Sequence, residues 1–437
     1  MAKSGRAAAA KHSICNLFFR RDPFFFGQPP HRLTDTLMHS EHMTHAQWAH
    51  LQDDLMHLVE NAMRSTPATR EIDALEDGYE VTSVKHGQRM LVKKSPASSA
   101  FHEFLALRRS AMTLDEYMEL MYCDTTAALR TQQALFYRDR LINARVLATH
   151  ETRSSSDPFA YVGLKYKRLY FAIHGGVCEP RDATYVELSG LRTNAAGQRV
   201  LFIVRETLNL EDVPPVDNVV RFHFTTLVLQ TQCDDDDSVE EAVYLFANPL
   251  GNIPAFVFNK VTQASMAIVE DFPQHLQKKR MLEALQHDGG AASKRSEITK
   301  LKDCCACRAK FKLLRAAHDC IACGYAMCSK CVVDLPRVVP APLNTMSVVQ
   351  DQVCKLCFVA ARSTKPTTRS SQSSLFSSDS NDDDRSTGFR STVSTANDLD
   401  WLEDTGDELE KMQIGIEQQR VLVNQIKQRL ERASSVA

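Results

Sequence analysis

Between Cys304 and Cys357 the cysteines fall into CxxC pairs: Cys304 with Cys307, Cys320 with Cys323, Cys328 with Cys331, and Cys354 with Cys357. Two intervening residues let a tight turn aim both thiolates at one tetrahedral ion, and four such pairs complete two closed sites with no open coordination position. Closed sites are structural, so the spacing predicts a small module folded around two structural Zn2+ ions. Cys305 falls outside the pattern and reads as a bystander thiol. The chain has 13 cysteines; their clustering, and an N-terminus without a continuous apolar run, argue for metal rather than for a disulfide framework.

Such a module accounts for a small part of 437 residues. Lys and Arg number 52 against 54 Asp and Glu, a net charge of -2, so no global basic field draws the chain onto nucleic acid. The longest uncharged apolar run, Ala242 to Asn259, is interrupted by Asn248, Pro249, Gly251 and Pro254, whereas a spanning helix needs about 20 predominantly apolar residues. Residues 1–41 read as a disordered N-terminal segment. The basic, alanine-rich stretch Met1 to Arg21 makes mitochondrial targeting a minor alternative to a cytoplasmic protein.

Residues 42–286 carry the pattern of one α+β domain. Met43, Trp48, Leu51, Leu55, Leu58, Val59 and Met63 recur at helical spacing from His42 to Met63. Tyr79 to Lys85 and Arg89 to Lys94 flank a turn at His86, Gly87 and Gln88, as a hairpin requires. Thr113 and Glu116 form a capping box ahead of a short helix, and a second runs from Thr125 to about Tyr137. Strands follow over Ile142–Thr149, Phe159–Tyr170, Thr184–Leu191, Arg199–Leu208, Val219–Gln232 and Glu241–Ala247, the last two joined by a solvated hairpin tip at Asp234 to Asp237. One long helix from Pro254 to about Gln286, bent at Pro273, closes the domain. Alternation sends either Arg181 or Asp182 inward, and a buried Arg calls for a carboxylate partner. His86, His150, His174 and His223 stand apart from any nucleophile pattern, so no enzyme is expected.

Residues 287–302 form a polar linker, 303–360 the cysteine module, and 361–398 a Ser, Thr and Asp rich linker expected to be disordered. In 399–435 the residues Leu409, Met412, Ile416, Gln419, Val423, Ile426, Leu430 and Ala433 alternate at spacings of 3 and 4. This is a coiled-coil helix able to form a homodimer, or else a helix that docks elsewhere on the chain.

The knuckle spacing and the phrase Cys320, Ile321, Ala322, Cys323, Gly324 resemble a FYVE-type zinc finger. That resemblance implies cross-bracing, with Cys304, Cys307, Cys328 and Cys331 on one zinc and Cys320, Cys323, Cys354 and Cys357 on the other. It also implies a phosphoinositide-reading basic phrase, but here that phrase is Ala316, Ala317, His318, Asp319, Cys320, Ile321, and Gln352 stands where the family has Arg. Leu313 and Leu314 occupy the membrane-inserting turret, rimmed by Arg308, Lys310, Lys312 and Arg315; Leu313, Leu314, Arg315 and His318 are the candidate membrane or lipid contacts. A RING-like ubiquitin ligase component is the competing zinc-module reading.

The element order of residues 42–286, with the phrases Thr113-Leu114-Asp115-Glu116, Asp157-Pro158-Phe159, Pro180-Arg181-Asp182 and Gly251-Asn252-Ile253-Pro254, resembles the START-like helix-grip fold. That family encloses an apolar cavity for one lipid or other hydrophobic ligand. The reading is a non-enzymatic lipid-binding adaptor with weak peripheral contact to endomembranes and with protein partners; a scaffold in which neither domain binds lipid is the alternative.

Overall fold

The computed structural model describes residues 38–40, 42–85, 87–94, 100–171, 178–234, 238–266, 272–287, 303–311, 317–341 and 345–363. The N-terminal segment before residue 38, the linker 288–302, the acid run Asp235 to Asp237, the turret residues Leu313, Leu314 and Arg315, and everything from residue 364 on, including the expected helix 399–435, lie outside the described residues.

Helix starts follow their caps. The first helix, α1 (His45–Met63), opens on Thr44, whose hydroxyl accepts from the Gln47 N–H while the Gln47 side chain accepts from the Thr44 N–H; it buries Trp48, Leu51, Leu55, Val59 and Ala62, a stripe at helical spacing. A short helix, α2 (Arg70–Glu76), leaves Ile72 and Leu75 exposed; it lacks the apolar stripe that would have marked it in the sequence. The capping box at Thr113 and Glu116 opens α3 (Leu114–Met121), with both bonds at 3.2 Å. Thr125 caps α4 (Thr126–Tyr137), and Gln132 of α4 donates to the C-terminal carbonyls of Leu120 and Met121, supplying partners that the end of α3 cannot find within itself.

The strands β1 (Glu80–Lys85), β2 (Gln88–Lys94), β3 (His102–Ser110), β4 (Leu141–Glu151), β5 (Tyr161–Leu169), β6 (Arg181–Thr193), β7 (Arg199–Thr207), β8 (Val220–Arg221), β9 (His223–Gln232) and β10 (Val239–Asn248) make one sheet. Its order is β1-β2-β3-β10-β9-β7-β6-β5-β4, antiparallel except that β8 runs parallel beside β6. Sequence periodicity does not mark β3, because Phe104, Leu105 and Ala106 are buried in succession on both faces and show no alternation. Yet β3 pairs with both β2 and β10 and joins the first hairpin to the rest. The single strand expected over Val219–Gln232 is interrupted at Phe222, where β8 leaves β6 and β9 takes up pairing with β7 and β10.

One face of the sheet packs on α1 through Val162, Leu164, Val186, Leu188, Phe202, Val204, Leu227 and Leu229. The other face, called inner below, is covered by α3, by α5 (Ala255–Met266) and by α6 (Phe272–His287). These two helices stand in place of the one long helix expected. Pro273 is the second residue of α6, and residues 267–271 between the two helices lie outside the described residues. The two also have different neighbours: α5 packs on β3, and α6 on α3 and α4.

Glu206 faces α1, and burial, then the Asp54 carboxylate, push its carboxyl up to about 7. The native state therefore binds more protons than the unfolded chain between the free carboxylate value of about 4.3 and 7, so this group's contribution to stability is lost as pH rises through that window. Glu206→Gln should raise stability by about 1–3 kcal/mol at pH 8 and leave it unchanged near pH 4, as read from urea unfolding at the two pH values.

Candidate metal centres and interior ligand site

The cysteine module is built from two hairpins and a helix: β11 (Ala317–Asp319) with β12 (Ala326–Cys328), β13 (Val332–Pro340) with β14 (Met346–Cys354), and α7 (Lys355–Ser363). The helix extends to Ser363, past the point where a linker was expected. The first two knuckles share one backbone geometry. Cys304 N–H donates to the Ala309 carbonyl and Cys320 N–H to that of Tyr325; the N–H groups of Arg308 and Gly324 return to the carbonyls of Cys304 and Cys320. This loop forces a positive φ on the residue after its second cysteine, 77° at Gly324 and 59° at Arg308. Glycine takes that conformation freely, whereas the Arg308 side chain does so at a cost of about 1–2 kcal/mol.

The Sγ atoms of Cys304, Cys307, Cys328 and Cys331 lie within 4.8 Å of one another, as do those of Cys320, Cys323, Cys354 and Cys357. Each tetrad joins a knuckle to one that is not its neighbour in sequence, and each can hold one zinc. Backbone N–H groups are already aimed at the sulfurs: Cys328 N–H at Cys304 Sγ over 3.3 Å and Cys354 N–H at Cys320 Sγ over 3.1 Å. Burial raises the Cys304 thiol, but amide donors from Cys307, Cys328 and Ala306 outweigh it and bring it down to about 6, favouring the thiolate that binds metal. Cys305 is buried between the two tetrads and belongs to neither.

His318 is half-buried on β11, and its Nδ1 lies 2.9 Å from Gln352 Oε1. His318, the one polar position of the phosphoinositide phrase that survives here, is thus bonded to Gln352, which stands where the family has Arg. Asp319 is exposed beside them.

The module is docked on the larger domain, which nothing in the sequence had indicated. Leu335, Val353 and Ala361 share one apolar cluster with Leu135 of α4 and with Met281 and Leu282 of α6. Met346, Val338 and Val348 pack into a second cluster with Leu129, Ala134, Leu141, Ala144 and Leu169. Gln277 of α6 donates to the Phe358 carbonyl of α7 over 2.9 Å.

Inside the large domain, charged groups stand on the inner face of the sheet. Register aligns Gly163, Glu187, Arg205 and Thr226 across β5, β6, β7 and β9, and in the next row Lys165, Tyr185 and Thr207. Glu187 accepts from Lys165 Nζ and from Arg205 Nε, each at 2.5 Å. Burial raises its carboxyl, but the two cations outweigh that and hold it down at about 2. Lys165 lies 4.1 Å over the Tyr161 ring. That ring can lie along the strand because Gly163 has no side chain, since a Cβ there would come within 2.3 Å of Tyr161 Oη.

Lys167 stands opposite Ala183, whose small side chain leaves it room to extend over Phe224 at 3.8 Å, Phe222 at 5.4 Å and Tyr185 at 5.5 Å from the ring centroids. Burial, then repulsion from Arg205, push its amine down to about 7. Lys167 is nonetheless only half-buried, and Arg205 keeps 18% of its side-chain surface. Both groups feel burial as their leading influence.

Arg181 and Asp182 are both fully buried, on opposite faces. Asp182 binds Arg221 at 3.1–3.2 Å and accepts from Tyr166 Oη. Arg181 faces inward without the carboxylate partner expected of it: among the described residues it donates only to the carbonyls of Glu179 and Leu250, and its Nε has no partner. Gly251, at φ 64°, lets the loop after β10 close on it, since a Cβ would lie 3.2 Å from Arg181 Nη2. The Asp157-Pro158-Phe159 phrase is a turn lock: Asp157 accepts from the Phe159 and Leu191 N–H groups, each at 3.0 Å. Of the remaining histidines named above, His150 stacks on Trp48 at 4.8 Å, His223 is half-buried beside Thr207, and His86 and His174 lie outside the described residues.

Residues 295–363 match the family model of the FYVE zinc finger. No curated protein matches the chain. Among solved structures it is similar to human StAR-related lipid transfer protein 5, with a TM-score of 0.40 and 13% identity over 54% of this chain and 97% of that one. It is also similar to human STARD10, with a TM-score of 0.37 and 12% identity over 56% and 85% of the two chains. A STAR-related lipid transfer protein from Xanthomonas axonopodis gives 0.34 and 17% over 46% and 98%. The cysteine module is thus a FYVE-type finger.

Two outcomes are expected. Chelating zinc should unfold the finger and, by uncovering Leu135, Met281 and Leu282, also lower the melting midpoint of the START-like domain; calorimetry showing that transition unmoved would mean the docked interface contributes nothing. Glu187→Ala leaves two buried cations unpaired and should cost about 3–5 kcal/mol in urea unfolding.

Proposed function

We propose that this protein is a non-enzymatic lipid-binding adaptor. Its START-like domain holds a hydrophobic ligand against the inner face of the sheet, and its FYVE-type finger docks it at a membrane surface or on a protein. The observation that carries this reading is the accessible surface of Lys167 and Arg205 beneath the helices: a close-packed core leaves no such surface, and a space lined by aromatic rings with a few polar groups suits an amphiphile. The similarity to lipid transfer proteins of the START type agrees with it.

In this reading the eight paired cysteines are zinc ligands with a structural task, and the finger's contribution to docking comes from Leu313, Leu314 and Arg315 with the basic rim of Arg308 and Lys310. The bond between His318 and Gln352 favours weak, headgroup-independent membrane contact or a protein partner over specific phosphoinositide recognition. The helix at 399–435 would add a homodimer contact.

Native mass spectrometry of protein purified without detergent or chelator tests the whole reading. The expected spectrum carries two zincs and an adduct in the lipid mass range; two zincs without any adduct, together with no lipid transfer between vesicles, would replace the carrier by a scaffold. Leu313→Asp with Leu314→Asp should weaken sedimentation with liposomes while zinc content stays the same.

A further inference from the structure

Among the described residues, the inner face of the sheet carries more cations than carboxylates, the pair Arg108 and Glu241 neutralising itself. Lys165, Lys167, Arg181 and Arg205 all point there, and Glu187 is already shared by Lys165 and Arg205. Lys167 has no carboxylate and no hydrogen-bond acceptor among the described residues; its ammonium rests only on the rings of Phe224, Phe222 and Tyr185. Arg181, two residues from Ala183 along β6 and therefore diagonal to Lys167, has carbonyl partners alone and an enclosed Nε with none. The intervening residues 172–177 contain no Asp or Glu, Glu179 holds its carboxylate in an exposed position, and Asp182 is taken by Arg221 on the opposite face.

A largely enclosed cation with no carboxylate in hydrogen-bond contact is costly, and cation–π contact recovers only part of that cost. A neutral ligand such as a sterol or diacylglycerol would leave the imbalance in place. An anionic head would remove it, accepting charge-assisted hydrogen bonds from Lys167 and from the remaining guanidinium N–H groups of Arg205.

We propose that the ligand of the START-like domain is a lipid with an anionic head, a phosphate or a carboxylate, bound head-inward at Lys167 and Arg205 with its chains along the ring-lined part of the inner face. This rests on the carrier reading above and specifies its ligand. The rings that now hold the Lys167 ammonium become its flanking wall, and Glu187 keeps Arg205 aimed.

Transfer between vesicles of the full-length zinc-loaded protein tests it, using pyrene-labelled phosphatidic acid and pyrenyl fatty acid against pyrene-labelled phosphatidylcholine and diacylglycerol. The wild type should move one or both anionic probes about tenfold or more faster than the neutral and zwitterionic ones, the equivalent of one charge-assisted hydrogen bond. The two anionic arms separate phosphate from carboxylate. Lys167→Met, which suits the aromatic surroundings and so keeps the fold, should abolish that preference, and Lys167→Arg should retain it. Equal transfer of all four probes, or a preference unchanged in Lys167→Met, overturns the proposal while leaving a lipid carrier. Transfer of none of them overturns the carrier reading itself.

Discussion

A broad antiparallel sheet has two faces, and both must be covered before it is stable in water. Here they are covered by different physics. The α1 side is closed mainly by an apolar set around Leu51, Leu55 and Val59, worth about 1.5–3 kcal/mol for each large side chain fully buried, with Glu206 and the Asp182–Arg221 pair at its margins. The inner side carries Glu187, Lys165, Arg205 and Lys167 in its middle, which close packing against a helix would leave desolvated at great cost. Apolar clusters therefore gather around the charges rather than over them: one under α3 and α6, one at the α5 end, and one beneath α4.

The same requirement explains the position of the finger. Helices laid on the inner face have outer surfaces of their own, and those of α4 and α6 remain apolar at Leu135, Met281 and Leu282. The finger has the complementary problem. Its tetrads fix the chain covalently through metal but supply little apolar core, so Leu335, Val338, Met346, Val348 and Val353 of its second hairpin find their cover on the neighbouring domain. Zinc thus holds the hairpin surface that shields α4 and α6, and the finger and the larger domain share one apolar interface.

Within the finger, the surviving histidine of the phosphate-reading phrase is engaged by a residue that departs from the family. His318 and Gln352 satisfy each other, as polar groups at a strand interface must.

The sequence by itself determined what depends on local spacing. Four CxxC pairs specified two zinc sites, because two residues between thiolates fix a turn. Thr113 and Glu116 specified a helix start, because both cap bonds lie within four residues. The strands over Thr184–Leu191 and Arg199–Leu208 were legible, and alternation left one of Arg181 and Asp182 to face inward. What only the tertiary structure decided is everything that joins residues distant in the chain. The strand β3 lay hidden because burial on both faces erases alternation. The long helix became α5 and α6 because each answers to a different partner. Glu187 gained two cations, and Lys167 none, through register across β5, β6 and β7. The finger's hairpin gave no sign of its docking, since an apolar residue reads the same in sequence whether it packs within its own module or on the next one; only the assembled surfaces distinguish the two.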